Sequence, residues 1–224
     1  MHLPGRIEVK TAVFPDGDID MPEEINALFS RHYYFPEYHA AYTGLRKAGT
    51  KMLLTREMAG KEFSFPGGYT LRCLYPLTGS VPPSVQAVHW LLKNGLLAKE
   101  EERERYVRML KDNNNADSSV WVLEKGERTI TLFGGDCTLG HMEKAIRDLK
   151  GHPEALKLQH HGFNSKLKTY YNADHVKRIG PGKLIVVSND REHYPKMKGD
   201  ILAVREATGL KPWFTFDGDC TYRF

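Results

Sequence analysis

Two apolar segments constrain this chain more than anything else in it. Arg128-Thr129-Ile130-Thr131-Leu132-Phe133 and Ala155-Leu156-Lys157-Leu158 both read as strands, and a single amphipathic helix, Met142 to Lys150, lies between them. The first ends in Gly134-Gly135-Asp136 and the second in Gln159-His160-His161-Gly162. A strand, a helix and a strand with polar, glycine-bearing exits imply helices laid over β-sheet.

The flanking sequence extends the pattern. Ser119-Val120-Trp121-Val122-Leu123-Glu124 and the strand from Arg128 flank Lys125-Gly126-Glu127, a hairpin signature. Downstream, Tyr171–Ile179 reads as helix, Lys183–Ser188 as strand and Met197–Thr208 as helix. Trp213–Phe216 and Cys220–Phe224 are expected to form a hairpin around Asp217-Gly218-Asp219. Upstream, Ile7–Phe14 is a short strand stopped by Pro15-Asp16-Gly17-Asp18. Pro22–Phe29 and Pro36–Ala48 are helices, the second ended by Gly49. Met52–Leu54, Glu62–Phe65 and Tyr69–Pro76 complete the strands. Residues 79–111 break the β pattern. Val85, Val88, Leu91 and Leu92 follow Pro82-Pro83 at helical spacing, and the charged run Lys99–Arg105 continues as a solvated helix. The polar stretch Asp112–Asn115 closes this segment, which is read as a helical insertion or lid in one domain spanning 1–224.

Composition excludes several classes. Hydrophobic residues at 41% and charged residues at 27% of 224 suit a globular protein and argue against wholesale disorder. No apolar run approaches the roughly 20 residues of a bilayer span. Met1-His2-Leu3-Pro4-Gly5-Arg6 lacks the build of a signal peptide, so a cytoplasmic location is expected. Cys73, Cys137 and Cys220 are widely spaced and odd in number, which indicates neither a disulfide framework nor a thiolate zinc knuckle. The net charge of +4 allows an anionic substrate without pointing to one.

The candidates for chemistry lie at the strand exits. Asp136 sits on a glycine turn through which backbone can approach a ligand closely; the plain alternative is an aspartate capping the next helix. His160 and His161 can aim an imidazole at a cation, or can be incidental loop histidines. As neighbours at a strand end they are expected to point to opposite faces, so that one is a direct ligand. Ser118 and Ser119 beside Asp117 lack a GxSxG elbow and read as turn residues. Asp217-Gly218-Asp219 is half a calcium loop without its remaining ligands, and reads as a turn. Lys157, Lys166, Lys168, Lys196 and Lys198 either attract phosphate near the site or are ordinary surface lysines.

Taken in order, a strand ending in Gly-Asp, a helix, and a strand ending in His-His-Gly resemble the metallo-β-lactamase superfamily, and most closely its ComEC-type branch, known from DNA-uptake proteins. Tyr75-Pro76, the stretch Asp112-Asn113-Asn114-Asn115-Ala116-Asp117-Ser118-Ser119-Val120 and the late loop Ser188-Asn189 through His193-Tyr194-Pro195 add to the likeness, although Tyr194 splits the usual His-Pro pair. The resemblance covers most of residues 62–224. It implies an αββα sandwich and metal-assisted hydrolysis with two zinc or manganese ions. It also implies Asp136 with His160 or His161 as metal ligands and catalytic residues. Asn114, Ser118 and His193 would bind the substrate, a phosphodiester such as DNA.

Family members also carry an HxHxDH loop, and this sequence has none; its other histidines are scattered. By the family order that loop and the first strands are expected before residue 1. Asp136 and one histidine give about two ligands, short of the three or so that a catalytic zinc takes. The chain is therefore expected to be inactive alone. It is read as a shortened form of a longer enzyme, or as a binding or regulatory module that lost the motif and pairs with another chain or nucleic acid. A sheet lacking its first strands exposes apolar edges, so dimerisation or a partner chain supplying the motif is expected.

Overall fold

The computed structural model describes residues 8–29, 34–77, 79–164, 168–188 and 194–217. It is mixed α/β and divides into two compact units: residues 1–58 with 79–113, and residues 59–78 with 114–224.

In the first unit, β1 (Thr11–Phe14) and β2 (Lys51–Leu54) pair in parallel, with α1 (Glu23–Asn26) and α2 (Phe35–Lys47) between them in sequence. Pro36 in the first turn of α2 and Gly49 at φ +83° beyond its end are the start and stop that the sequence spelled out. The expected helical segment 79–111 is two helices, α3 (Pro83–Asn94) and α4 (Glu100–Asn113). They separate at Gly95, where a Cβ would lie 2.9 Å from Ile25 Cδ1. The expected polar loop at Asp112 starts later, since α4 runs through Asn113. Val88 and Leu91 of α3 and Val107 and Leu110 of α4 bury one apolar stripe each around Ile25 and Phe35. Trp90 and Tyr106 stack at 3.9 Å between the two helices.

The second unit is built on a seven-stranded sheet. Its strands are β3 (Glu62–Phe65), β4 (Tyr69–Tyr75), β5 (Val120–Lys125), β6 (Arg128–Phe133), β7 (Ala155–Lys157), β8 (Leu184–Val186) and β9 (Pro212–Phe214), in spatial order 3-4-5-6-7-8-9. From β3 to β6 the pairing is antiparallel; from β6 to β9 it is parallel. The change follows from the connections. Gly126-Glu127 closes a tight hairpin, whereas a helix follows each of the next three strands: α5 (Leu139–Ala145), α6 (Ala173–Ile179) and α7 (Tyr194–Thr208). Met142, Ala145, Val176, Ile179, Ile201 and Val204 from these helices pack with Leu132, Leu156, Leu184 and Val186 of the sheet in one core.

Two sequence expectations change. The Met142–Lys150 helix starts earlier and ends at Ala145 in a tighter turn, Ile146–Asp148. The strand expected at 213–216 ends at Phe214 as β9 and passes into a 3₁₀ turn, Thr215–Asp217; the rest of the expected hairpin, residues 218–224, lies outside the described residues. Alternation in β5 buries Glu124 together with Val120 and Val122. Arg72 meets that carboxylate with two hydrogen bonds, 2.8 and 3.1 Å, and donates a third to the Asp148 carbonyl. Among the described residues no helix is long and apolar enough to cross a membrane.

Candidate functional site

Because β6 and β7 run parallel with Phe133 opposite Lys157, the turns that leave them lie side by side. This is the carboxyl edge of the parallel strands, where open α/β sheets present their ligand sites. Asp136 and the histidine pair meet here. The His160 N–H donates to the Gly135 carbonyl at 3.1 Å and ties one turn to the other.

Both turns require their glycines. A Cβ on Gly134 would fall 2.5 Å from Met142 Cε and 2.6 Å from Gln159 Cγ. Gly135 has φ +53°, and a Cβ there would lie 2.9 Å from Ser118 Cβ. Ser118 therefore flanks the Asp136 turn, and its N–H donates to the Asn115 carbonyl at 3.0 Å. Asn114 is exposed, and its side-chain carbonyl accepts the Asn115 amide at 2.8 Å. His193 and Lys166 lie outside the described residues. Lys168 and Lys198 are exposed.

The histidines are not on a strand, which corrects the expectation that they alternate across a sheet. The strand ends at Lys157, and Gln159–Gly162 form a tight turn. His160 and His161 take φ +46° and +55°, and Gly162 follows at +79°. Left-handed backbone costs a side-chain-bearing residue about 1 kcal/mol or more, so two in succession need strong local support. Part of it comes from Tyr171, whose hydroxyl donates to the Gly162 carbonyl at 2.5 Å, and from the Phe163 N–H on the His160 carbonyl at 2.8 Å.

The two rings have different surroundings. His160 stacks on Tyr170 with centroids 4.1 Å apart, and Phe163 stands edge-on to it at 6.1 Å. Its Nδ1 is buried without a protein partner. Burial pushes its pKa below the ordinary imidazole value, against the pull of Asp136. His161 is half exposed, with Nδ1 2.8 Å from the Val187 carbonyl oxygen and Nε2 3.6 Å from Asp136 Oδ2. A carbonyl only accepts, so Nδ1 carries a proton and Nε2 is the nitrogen offered to Asp136. Pairing with the carboxylate raises the His161 pKa, against burial.

Asp136 collects charge from both turns. Lys157 Nζ lies 3.7 Å from its Oδ1 and donates to the Gly135 carbonyl at 3.1 Å. Burial pushes the Asp136 carboxyl up, but pairing with His161 and the nearby charges of His161, Lys157 and His160 outweigh it, and the net shift is downward. Burial lowers the Lys157 pKa, with Asp136 opposing. Cys137, next in sequence, is buried and its thiol is pushed up to about 12, which removes it as a nucleophile at neutral pH.

Sequence reasoning missed Lys157 as the partner of Asp136, the Val187 carbonyl that fixes the His161 tautomer, and the Tyr170 ring. Lys157 carried a usable signal: it is the last strand residue before the histidine turn, in register with the residue before Gly134. Val187 and Tyr170 carried none, since their positions depend on the neighbouring strand and loop.

Among the described residues no three His, Cys, Asp or Glu side chains form a cage for a metal ion. Asp136 and His161 nevertheless fit two corners of one. Two ligand atoms each about 2.0–2.2 Å from a tetrahedral zinc stand roughly 3.3–3.6 Å apart, and the Nε2–Oδ2 gap is 3.6 Å. That gap is too long for a direct hydrogen bond. The described residues fit part of a metal site and do not complete it. No protein-family profile and no curated protein sequence matches the chain.

Proposed function

We propose that this chain carries one part of a metal-dependent hydrolase of the metallo-β-lactamase fold, acting on phosphodiesters such as DNA. The observation that carries the reading is the His161–Asp136 pair: a tautomer fixed by Val187 turns Nε2 toward a carboxylate oxygen at ligand-to-ligand separation. The location supports it, at the carboxyl edge of the parallel strands and on glycine turns that leave room for a ligand beside the backbone.

In this reading Asp136 and His161 would hold a divalent ion, with His160 beside them. Bound zinc or manganese lowers the pKa of water to give a nucleophile and polarises a phosphoryl oxygen. The chain's own residues do the rest. Val187 keeps the His161 proton on Nδ1, and Gly135 keeps Asp136 level with the histidine turn. The remaining ligands of an active enzyme would come from an HxHxDH loop, which this sequence lacks, on a further segment or a partner chain, including in a dimer. Buried, unpaired Cys73 and Cys137 suit a reducing compartment such as the cytoplasm.

A second reading, a metal-free binding or regulatory module, is favoured by Lys157, which already supplies Asp136 with a cation. The two separate in one assay. The chain is incubated with Mn²⁺ or Zn²⁺, alone and with a chain bearing an HxHxDH loop, on single-stranded DNA and bis-p-nitrophenyl phosphate. Metal-dependent cleavage that is lost in D136N and H161A supports the hydrolase. Absence of cleavage under both conditions overturns it in favour of the module.

A further inference from the structure

The two oxygens of the Asp136 carboxylate face different side chains. Oδ2 faces His161 Nε2 at 3.6 Å, and Oδ1 faces Lys157 Nζ at 3.7 Å. The lysine is not a passing surface charge. Its side chain is only 17% exposed, and its hydrogen bond to the Gly135 carbonyl fixes the ammonium beside the turn. The same carbonyl accepts the His160 N–H, so Lys157 belongs to the joint between the two turns.

An ion brought to Oδ2 and His161 Nε2 would sit within a few ångströms of this ammonium. Like charges at that range, partly shielded from water, repel strongly. We propose that Lys157 is the built-in counter-cation of the half-site: it holds Asp136 in place without metal, and it limits how tightly a divalent ion is taken. The site is thereby kept open until further ligands arrive to outweigh the lysine. This rests on the reading of Asp136 and His161 as cation ligands.

The test is Mn²⁺ binding to the full chain, followed by the EPR signal of free Mn²⁺, for wild type, K157Q, K157R and D136N. Glutamine keeps an N–H donor but carries no charge; arginine keeps the charge. K157Q is expected to bind Mn²⁺ roughly tenfold more tightly than wild type, K157R within about twofold of it, and D136N not at all. If K157Q does not fold, K157M, which keeps the aliphatic stem, is expected to show the same gain. Equal or weaker binding by the folded uncharged variant, with D136N still abolishing it, overturns the role of Lys157 and leaves the cation site standing. An equal gain in K157R overturns it too, because charge is then not the cause. No Mn²⁺ bound by wild type or the uncharged variant sinks both this proposal and the cation reading beneath it.

Discussion

Replacing Gly135 by alanine puts one methyl group into the tightest point of the candidate site. Two costs add. The residue sits at φ +53°, where an L side chain loses about 1–2 kcal/mol. The new Cβ would also stand 2.9 Å from Ser118 Cβ and 3.2 Å from the Ser119 carbonyl oxygen, so one of the two turns must move by about half an ångström. Overpacking of that kind costs about 1–3 kcal/mol, for a total of roughly 2–5 kcal/mol. Gly126, in the hairpin between β5 and β6, gives the control. It has φ +58° with nothing within 4 Å of a built Cβ, so G126A bears the backbone cost alone, about 1–2 kcal/mol. Both glycines belong to the same compact unit, so urea unfolding followed by circular dichroism compares one transition. At a slope of about 2 kcal/mol per molar, G126A should lower the midpoint by ~0.5–1 M and G135A by ~1–2.5 M. Equal midpoints for the two variants would refute the steric argument and, with it, the claim that Ser118 and the Asp136 turn are locked together.

Two further outcomes follow from the charges. The His161 ring protons, followed by NMR, should titrate above the ordinary imidazole value of about 6.5, and D136N should bring that midpoint back down. Since the folded value is the raised one, the stability contributed by His161 is complete below about pH 6.5 and fades as pH climbs through the folded value; D136N should flatten that part of the stability curve. In the sheet, R72M leaves the Glu124 carboxylate, 2% exposed, with Lys150 at 3.8 Å as its remaining cation among the described residues, and should cost about 3 kcal/mol in denaturant unfolding. The double variant R72M/E124M should recover most of that loss, because no charge is then left buried without its partner.

The parts legible in the sequence were those decided by local pattern. β3 and β6 fall where alternation and flanking turn residues put them, and Gly49 and Gly126 end a helix and close a hairpin as their backbone freedom predicts. The convergence of Asp136 with the histidine pair was legible as well, because a strand, a helix and a strand in parallel leave both exits on one edge. What was not legible depended on neighbours. Two adjacent histidines read as extended residues with opposed faces, yet the Gln159–Gly162 turn is left-handed, supported by Tyr171 and Phe163 from further along the chain. The burial of Glu124 follows only once Arg72 on β4 is known to be opposite Val122 and able to reach it.

The pairing of Tyr75 with Val120 has a kinetic side. Strands β3 and β4, and likewise β5 and β6, are joined by tight turns and can zip within microseconds. The seam between β4 and β5 must instead wait until the ends of the whole excursion through α3 and α4 find each other. Lengthening such an excursion costs little free energy, since closure entropy grows only with the logarithm of loop length. It costs time, because loop closure precedes the contacts that reward it. The antiparallel half of the sheet is therefore expected to exist first as two unjoined hairpins, each with an unpaired edge, and their meeting sets the pace at which the sheet behind the site is completed.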